Sequence, residues 1–395
     1  EFAPMRPDLP SPDDEAEVVR MVEKIMDKET GAEFLIKELL MPALRGSYED
    51  LGRACEGADL ILTHPITFAG PLVAEKMKLP WASSVLAPAS FFSAYDPMVI
   101  PQAPWLVRLR AVGAWPFKIF NKVIDSISSK WVEPVARLRA ELGLAPRPNP
   151  ILSGQHSPHL VLALFSSVLG GPQPDWPANA RVTGFPFYDR RDETVEGLGL
   201  SPELREFLDA GPPPLVFTLG SSAVWVAGDF YEESIRAAKM LGRRAVLLIG
   251  GERNSLKGPL PEGVAAFEYA PYGQLLPRAC AVVHQGGVGT TGQTLRAGRP
   301  ALVVPFNHDQ PDNAMRVTRL GVARTLSRKE YRAERVAREL GRLLTDESYA
   351  IRAAEVGERV RAENGAAAAA DALEELLSKA GPREDERELA YASGH

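Results

Sequence analysis

The residues His284-Gln285-Gly286-Gly287-Val288-Gly289-Thr290-Thr291, followed by Pro305-Phe306-Asn307-His308-Asp309-Gln310 and then Asn313, decide how this chain folds and what it can hold. A short apolar run, Ala281 to Val283, precedes them, and the periodic segment Thr290 to Ala297 reads as a helix, so the glycines fall in a strand-to-helix turn. Such a turn suits a phosphate. Glycine lets the backbone approach an anion closely, helix N-terminal amides and the helix dipole favour negative charge, and Thr290 and Thr291 add hydroxyl donors. A second apolar run, Ala301 to Val304, delivers Asp309 and Gln310 to the same edge of the sheet, where a carboxylate and an amide can grip sugar hydroxyls.

Taken alone, the glycines mark only a turn, because many such turns do no more than close a βα pair. The combination is more demanding: a histidine at the strand end, the glycines, paired threonines, and an Asp-Gln-x-x-Asn group at the next strand end. In this the chain resembles the GT-B glycosyltransferases of family 1 (UDP-glycosyltransferase) type, especially their bacterial branch, which move sugars from nucleotide diphosphates to small lipophilic acceptors. The fold implied is α/β, two Rossmann-like doubly wound domains facing a cleft.

The resemblance extends upstream. Tyr269-Ala270-Pro271-Tyr272, followed by Leu275-Leu276-Pro277, is similar to the family's aromatic-x-Pro element. It implies that Tyr269 stacks on the nucleobase and that the Ala270 backbone pairs with the base edge; without that context Tyr269 would read as a core aromatic. The strand-like run Leu215 to Leu219 ends in Gly220-Ser221-Ser222, where the family places a serine, here Ser221, near the diphosphate. Gly286, Gly287, Gly289, Thr290 and Thr291 form the matching donor turn, and the resemblance gives His284 to the diphosphate, where an imidazole would offset charge on the leaving group. On its residues alone, His284 is equally a hydrogen-bonded structural histidine, and His308 either a sugar contact or a solvated loop residue.

Composition agrees with a globular enzyme. At 395 residues, 45% hydrophobic and 24% charged, the chain can bury two cores of ordinary domain size. A net charge of -6 without a basic cluster argues against nucleic acid as partner. The only cysteines, Cys55 and Cys280, lie far apart, which favours a reducing cytoplasm over a disulfide framework. No apolar run reaches membrane-spanning length, and Glu1-Phe2-Ala3-Pro4 does not open a signal peptide.

Along the chain, a strand is expected at Asp59 to Thr63, a helix at Pro71 to Met77, and strands at Trp81 to Leu86 and Arg181 to Pro186. Between them prolines and aromatics crowd together, among them Phe91, Phe92, Tyr95, Trp105 and Trp115. In the family this position walls the acceptor pocket; a proline-broken, self-packed insertion is the alternative. Further strands are expected near Leu215, Ala245, Ala265, Ala281 and Ala301, alternating with helical patterns. The expected division is therefore an acceptor domain over 1–186, a linker over 187–213, a nucleotide-sugar domain over 214–363, and a C-terminal helix and tail over 364–395.

Three departures qualify the resemblance. Family members open with a strand, a Gly-rich turn carrying a histidine general base, and a helix, whereas Glu1 falls in what reads as a later strand-to-helix connection. On the order of 60 residues are expected upstream of Glu1, the base among them, so no catalytic residue is assigned and the N-terminal domain is expected to lack its first strand or strands. The carboxylate that orients that base should follow Thr63, where His64 stands. Finally, Gly292-Gln293 occupy the place where many relatives carry a ribose-binding Glu, leaving room for dTDP-rhamnose beside UDP-glucose.

The mechanism implied is inverting transfer by direct displacement to a hydroxyl of a flavonoid or other polyphenol, with macrolide or sterol as the alternative acceptor. No cofactor or metal is expected, because the nucleotide sugar is a substrate and the Asp residues near His284 lack ligand spacing. Two other classes stay open: a different GT-B enzyme, such as a sugar-nucleotide epimerase or cell-wall N-acetylglucosaminyl transferase, and a nucleotide-sugar binder without activity.

Overall fold

The computed structural model describes residues 2–188, 199–256 and 258–380. Two parallel sheets form its centre. The first has the order β1-β2-β3-β4, with β1 Ile61–Thr63, β2 Trp81–Val85, β3 Leu160–Ala163 and β4 Ala180–Val182. The second has the order β10-β9-β8-β5-β6-β7, with β5 Leu215–Thr218, β6 Ala245–Leu248, β7 Val264–Phe267, β8 Ala281–His284, β9 Ala301–Val303 and β10 Ala323–Thr325. The central strands β5, β6 and β8 are buried on both faces, so they read as apolar runs without alternation. The chain builds β5, β6 and β7 outward, then returns to lay β8 against β5 with Leu215 opposite Ala281. That reversal opens a crevice at the C-terminal ends of β5 and β8, the usual ligand position in open α/β sheets.

The lobes share a core. Val85, Val161 and Ala163 of the first sheet pack in one cluster with Ala301 and Val303 of the second and with Ala314 and Val317 of the helix Gln310–Arg319. The helix Gly365–Ala380 returns to the first lobe, its Ala372 buried with Ala82, Leu160 and Leu162.

Two placements differ from the division drawn on sequence. The helix Glu15–Ile25, capped by Asp14, which accepts the Glu17 N–H at 3.0 Å, docks Val18 and Val22 into the second lobe's core beside Val224 and Val226. These valines lie four residues apart and make a single apolar stripe, which the nearest large apolar surface captures. Within the expected linker, Ser201 caps the helix Pro202–Asp209, whose Leu204 and Leu208 are buried on the second sheet, so ordered structure of that lobe begins before Leu215. The remainder of that linker over 189–198, and the expected tail beyond 380, lie outside the described residues.

Candidate functional site

Where β5, β6, β7 and β8 end, a cavity of about 790 Å³ opens between the lobes. The second lobe contributes Thr218, Gly220 and Ser221 after β5, Gly250 and Arg253 after β6, Glu268 and Tyr269 after β7, and Val288, Gly289, Thr290 and Gln293 on the helix that follows β8. Leu86, Leu164 and the segment Phe185 to Tyr188 face them from the first lobe.

The glycine turn does what its sequence demands. Gly286 has φ +90°, and a Cβ there would lie 2.9 Å from Val303 Cγ1, so only glycine fits. Gly287 caps the helix Val288–Ala297, whose first turn faces the cavity. The Tyr272 hydroxyl is 2.8 Å from Thr218 Oγ1 and also hydrogen-bonds Thr290, tying the β5 and β8 turns together. Burial raises the Tyr272 phenol above its usual range, keeping it neutral.

His284 does not reach the cavity. It is 1% exposed beneath the turn, and its Nδ1 accepts the Gly286 N–H at 3.0 Å. Burial depresses its pKa to about 4, so it is neutral and shapes the loop rather than offering charge to a phosphate. Gly286, Gly287, Thr291 and Ala270 likewise stand behind the lining.

Asp309 and Gln310 are beside the turn and outside the lining. Asn313 Nδ2 donates to Asp309 Oδ2 at 2.7 Å and to the Gly286 carbonyl at 2.9 Å, and the Val288 N–H bonds the Asp309 carboxylate. Desolvation outweighs these bonds and pushes the Asp309 pKa up to about 6. Gln310 Oε1 accepts the Phe306 N–H at 2.8 Å, closing its own loop. His308 has φ +57° and bonds the Ile25 carbonyl, while Asn307 donates to the Asp27 carbonyl at 2.7 Å, so this loop grips the end of the helix Glu15–Ile25.

The aromatics of the first lobe do not converge. Phe91 is buried, stacked on Trp176 at 3.8 Å between ring centroids. Phe92 is half-buried with φ +49°, whereas Tyr95, Trp105 and Trp115 are exposed, and none of the five lines the cavity. Their composition demanded burial somewhere but did not specify a cleft.

Sequence reading passed over Trp225, Arg253 and Glu268. The Arg253 guanidinium lies 3.4 Å from the Trp225 ring centroid, and its Nη1 is 3.3 Å from Glu15 Oε1 on the docked helix. The available signal was positional: Gly250-Gly251 follows β6, which lies between β5 and β7, the strands that deliver Ser221 and Tyr269. Among the described residues no cluster of three or more His, Cys, Asp or Glu could hold a metal ion, and no helix is long and apolar enough to cross a membrane.

Known proteins resemble this chain in sequence and in architecture. Residues 234–376 match the erythromycin biosynthesis protein CIII-like C-terminal domain. The O-mycaminosyltylonolide 6-deoxyallosyltransferase of Streptomyces fradiae is 38% identical over 246 residues, covering 61% of this chain and 56% of that protein. A sterol 3-beta-glucosyltransferase of Emericella nidulans is 28% identical over 347 residues, covering 83% of this chain and 24% of that protein. The chain thus spans about half the length of the first relative and about a quarter of the second. Among solved structures, the glycotransferase of kitacinnamycin superposes with a TM-score of 0.64 at 21% identity, covering 86% of this chain and 82% of that one. The calicheamicin glycosyltransferase gives 0.62 at 18% identity, with coverages of 90% and 86%. These likenesses establish the fold as GT-B.

Proposed function

We propose, from the premise that this chain belongs to the bacterial family 1-type, UDP-glycosyltransferase-like proteins of GT-B fold, that it takes part in moving a sugar from a nucleoside diphosphate to a hydroxyl of a lipophilic acceptor, with inversion. The observation that carries this reading is the interlobe cavity, which gathers an aromatic ring, a serine turn and a helix N-terminus at the ends of three strands. Tyr269, more than half exposed on one wall, offers a face to the base. Because Asp309 already uses the Val288 N–H, the Gly289 amide and the Ser221 hydroxyl are left for the diphosphate, with the Thr290 hydroxyl shared between it and Tyr272. They would stabilise charge on the leaving group as the acceptor oxygen displaces it. Asp309, which bonds the Val288 N–H behind the lining, is the proposed sugar contact, Glu268 is the carboxylate on the lining itself, and His284 serves by holding the turn.

Gln293 lines the cavity without a carboxylate, so a deoxyribose nucleotide is accommodated as well as UDP. The names of the relatives put macrolide and sterol hydroxyls ahead of the flavonoid expected from sequence. Calorimetry with UDP and dTDP tests the site directly. Both should bind, and Thr290→Val should weaken each by about 1.5–3 kcal/mol, the usual loss of a hydrogen bond to a charged group. No heat with either nucleotide would overturn the reading, and binding without sugar transfer to sterol, macrolide or flavonoid would leave a nucleotide-sugar binder.

A further inference from the structure

Trp105 and Trp115, expected in an acceptor pocket, belong instead to an apolar face on the outside of the first lobe. On the helix Trp115–Trp131, Trp115, Ile119, Val123 and Ile127 recur every fourth position and share one side, and each is at least half exposed. Phe117 and Ser128 are buried on the opposite side, so the helix already has a packed inner face and the stripe is surplus to it. The preceding segment Pro104–Val112 has no buried residue and adds Trp105, Leu109 and Val112 to the exposed apolar surface.

Charge says what this face fits. Arg108, Arg110, Lys118, Lys122 and Lys130 are all exposed, against one acid, Asp125, between residues 104 and 131. That local surplus of positive charge sits on a chain whose net charge is -6. At 100° per residue the three lysines fall on the same half of the helix as the apolar stripe. Tyr95 joins the patch, with Lys118 Nζ 5.2 Å above its ring.

We propose that this face is a membrane-docking surface that lays the helix Trp115–Trp131 in the headgroup region of an anionic lipid bilayer. Its apolar side chains would enter the acyl boundary, with Trp105 and Trp115 at interfacial depth and the lysines and arginines on lipid phosphates. A second copy fits worse, because two faces with the same positive surplus repel. A small ligand fits worse too, since the stripe runs roughly 18 Å along a convex helix and small-molecule sites are concave.

The test is co-sedimentation of the whole chain with vesicles of phosphatidylcholine alone and of an equal mixture with phosphatidylglycerol. Binding is expected to the mixed vesicles, weakening as salt rises, with little to the neutral ones. Ile119→Glu with Ile127→Glu, and separately Lys118→Glu with Lys122→Glu, should each lower the partition coefficient about tenfold or more while leaving circular dichroism and UDP affinity unchanged. Because the readout needs no nucleotide, it stands or falls apart from the glycosyl-transfer reading. Absence of lipid binding, equal binding to neutral vesicles, or variants that bind like the parent would overturn the proposal. So would a dimer in light scattering that the Glu variants dissolve, which would assign the face to a second copy.

Discussion

Ser221, Tyr269 and Thr290 are separated by up to 69 positions in sequence yet line one cavity, whereas Phe91, Tyr95, Trp105 and Trp115 lie within 25 positions and scatter between core and solvent. The difference lies in what positions each set. Residues that follow consecutive strands of one parallel sheet are carried to the same edge by the backbone, whatever their side chains. Aromatics in a proline-broken segment have only their need for burial, and any apolar surface satisfies it. Phe91 found Trp176, while Trp105 found none.

One ion network ties these two regions together, and breaking it should produce the largest effect. Arg316, 1% exposed on the helix Gln310–Arg319, donates through Nε to Asp312 Oδ2 at 2.6 Å and through Nη1 to Asp96 and to the Leu169 carbonyl. Asp312 also accepts the Val99 N–H at 3.0 Å, so the first lobe's loop is pinned to the helix that begins beside Asp309. Replacing Arg316 with Met leaves the buried Asp312 without a cation and Asp96 with only the more exposed Arg319, at 3.2 Å. The expected cost is about 3–5 kcal/mol in urea unfolding. A loss below about 1 kcal/mol would show that the lobes are held by their shared apolar core alone.

Legibility followed the same division. Strands β1, β2 and β4 to β9 were readable as apolar runs bounded by turn residues, and the glycine turn fell where its spacing required. β10, Ala-Arg-Thr, carries no apolar run to be read, whereas β3, Leu160–Ala163, is an apolar run as long as β5 that the reading passed over. The docking of Glu15–Ile25 on the second lobe was not legible, since its two-valine stripe names no partner. At the site, the Gly-rich turn announced a helix N-terminus, but nothing local showed that His284 points beneath it while Arg253 reaches the lining. Those directions depend on neighbouring strands, which one segment of sequence does not contain.

A smaller effect, confined to the second lobe, concerns pH. His284 has a folded pKa of about 4 against an ordinary value near 6.5, so between those values the unfolded chain binds more protons and stability rises with pH. The full contribution is present above about pH 6.5 and is lost as pH falls through 4. By the shift it amounts to about 3 kcal/mol. Asp309 runs the other way, its raised pKa favouring the folded state at low pH, an advantage lost as pH climbs from about 3.8 to about 6. A comparison of parent and His284→Asn isolates the first contribution, because Asp309 is common to both. The variant should gain about 3 kcal/mol on the parent between pH 7 and pH 4. A stability gap that stays constant with pH would mean that His284 is solvated and could reach a phosphate after all.

The smallest effect is expected at the exposed aromatics, and its smallness is informative. Trp115→Ala removes a ring that is 62% exposed, and Trp105→Ala one that is 59% exposed, so each forfeits only a minor part of the area a core tryptophan would bury. At Trp115, the first residue of its helix, alanine's higher helix propensity returns about half a kcal/mol of that loss. The net change in urea unfolding should be about 1 kcal/mol or less at either position, the ordinary range for surface substitutions. A loss of several kcal/mol would show these rings buried in the working protein, packed into a pocket or against another part of it, and the contrast between a backbone-positioned donor site and a scattered aromatic segment would then collapse. A small loss in solution leaves both tryptophans free to act on something outside the chain.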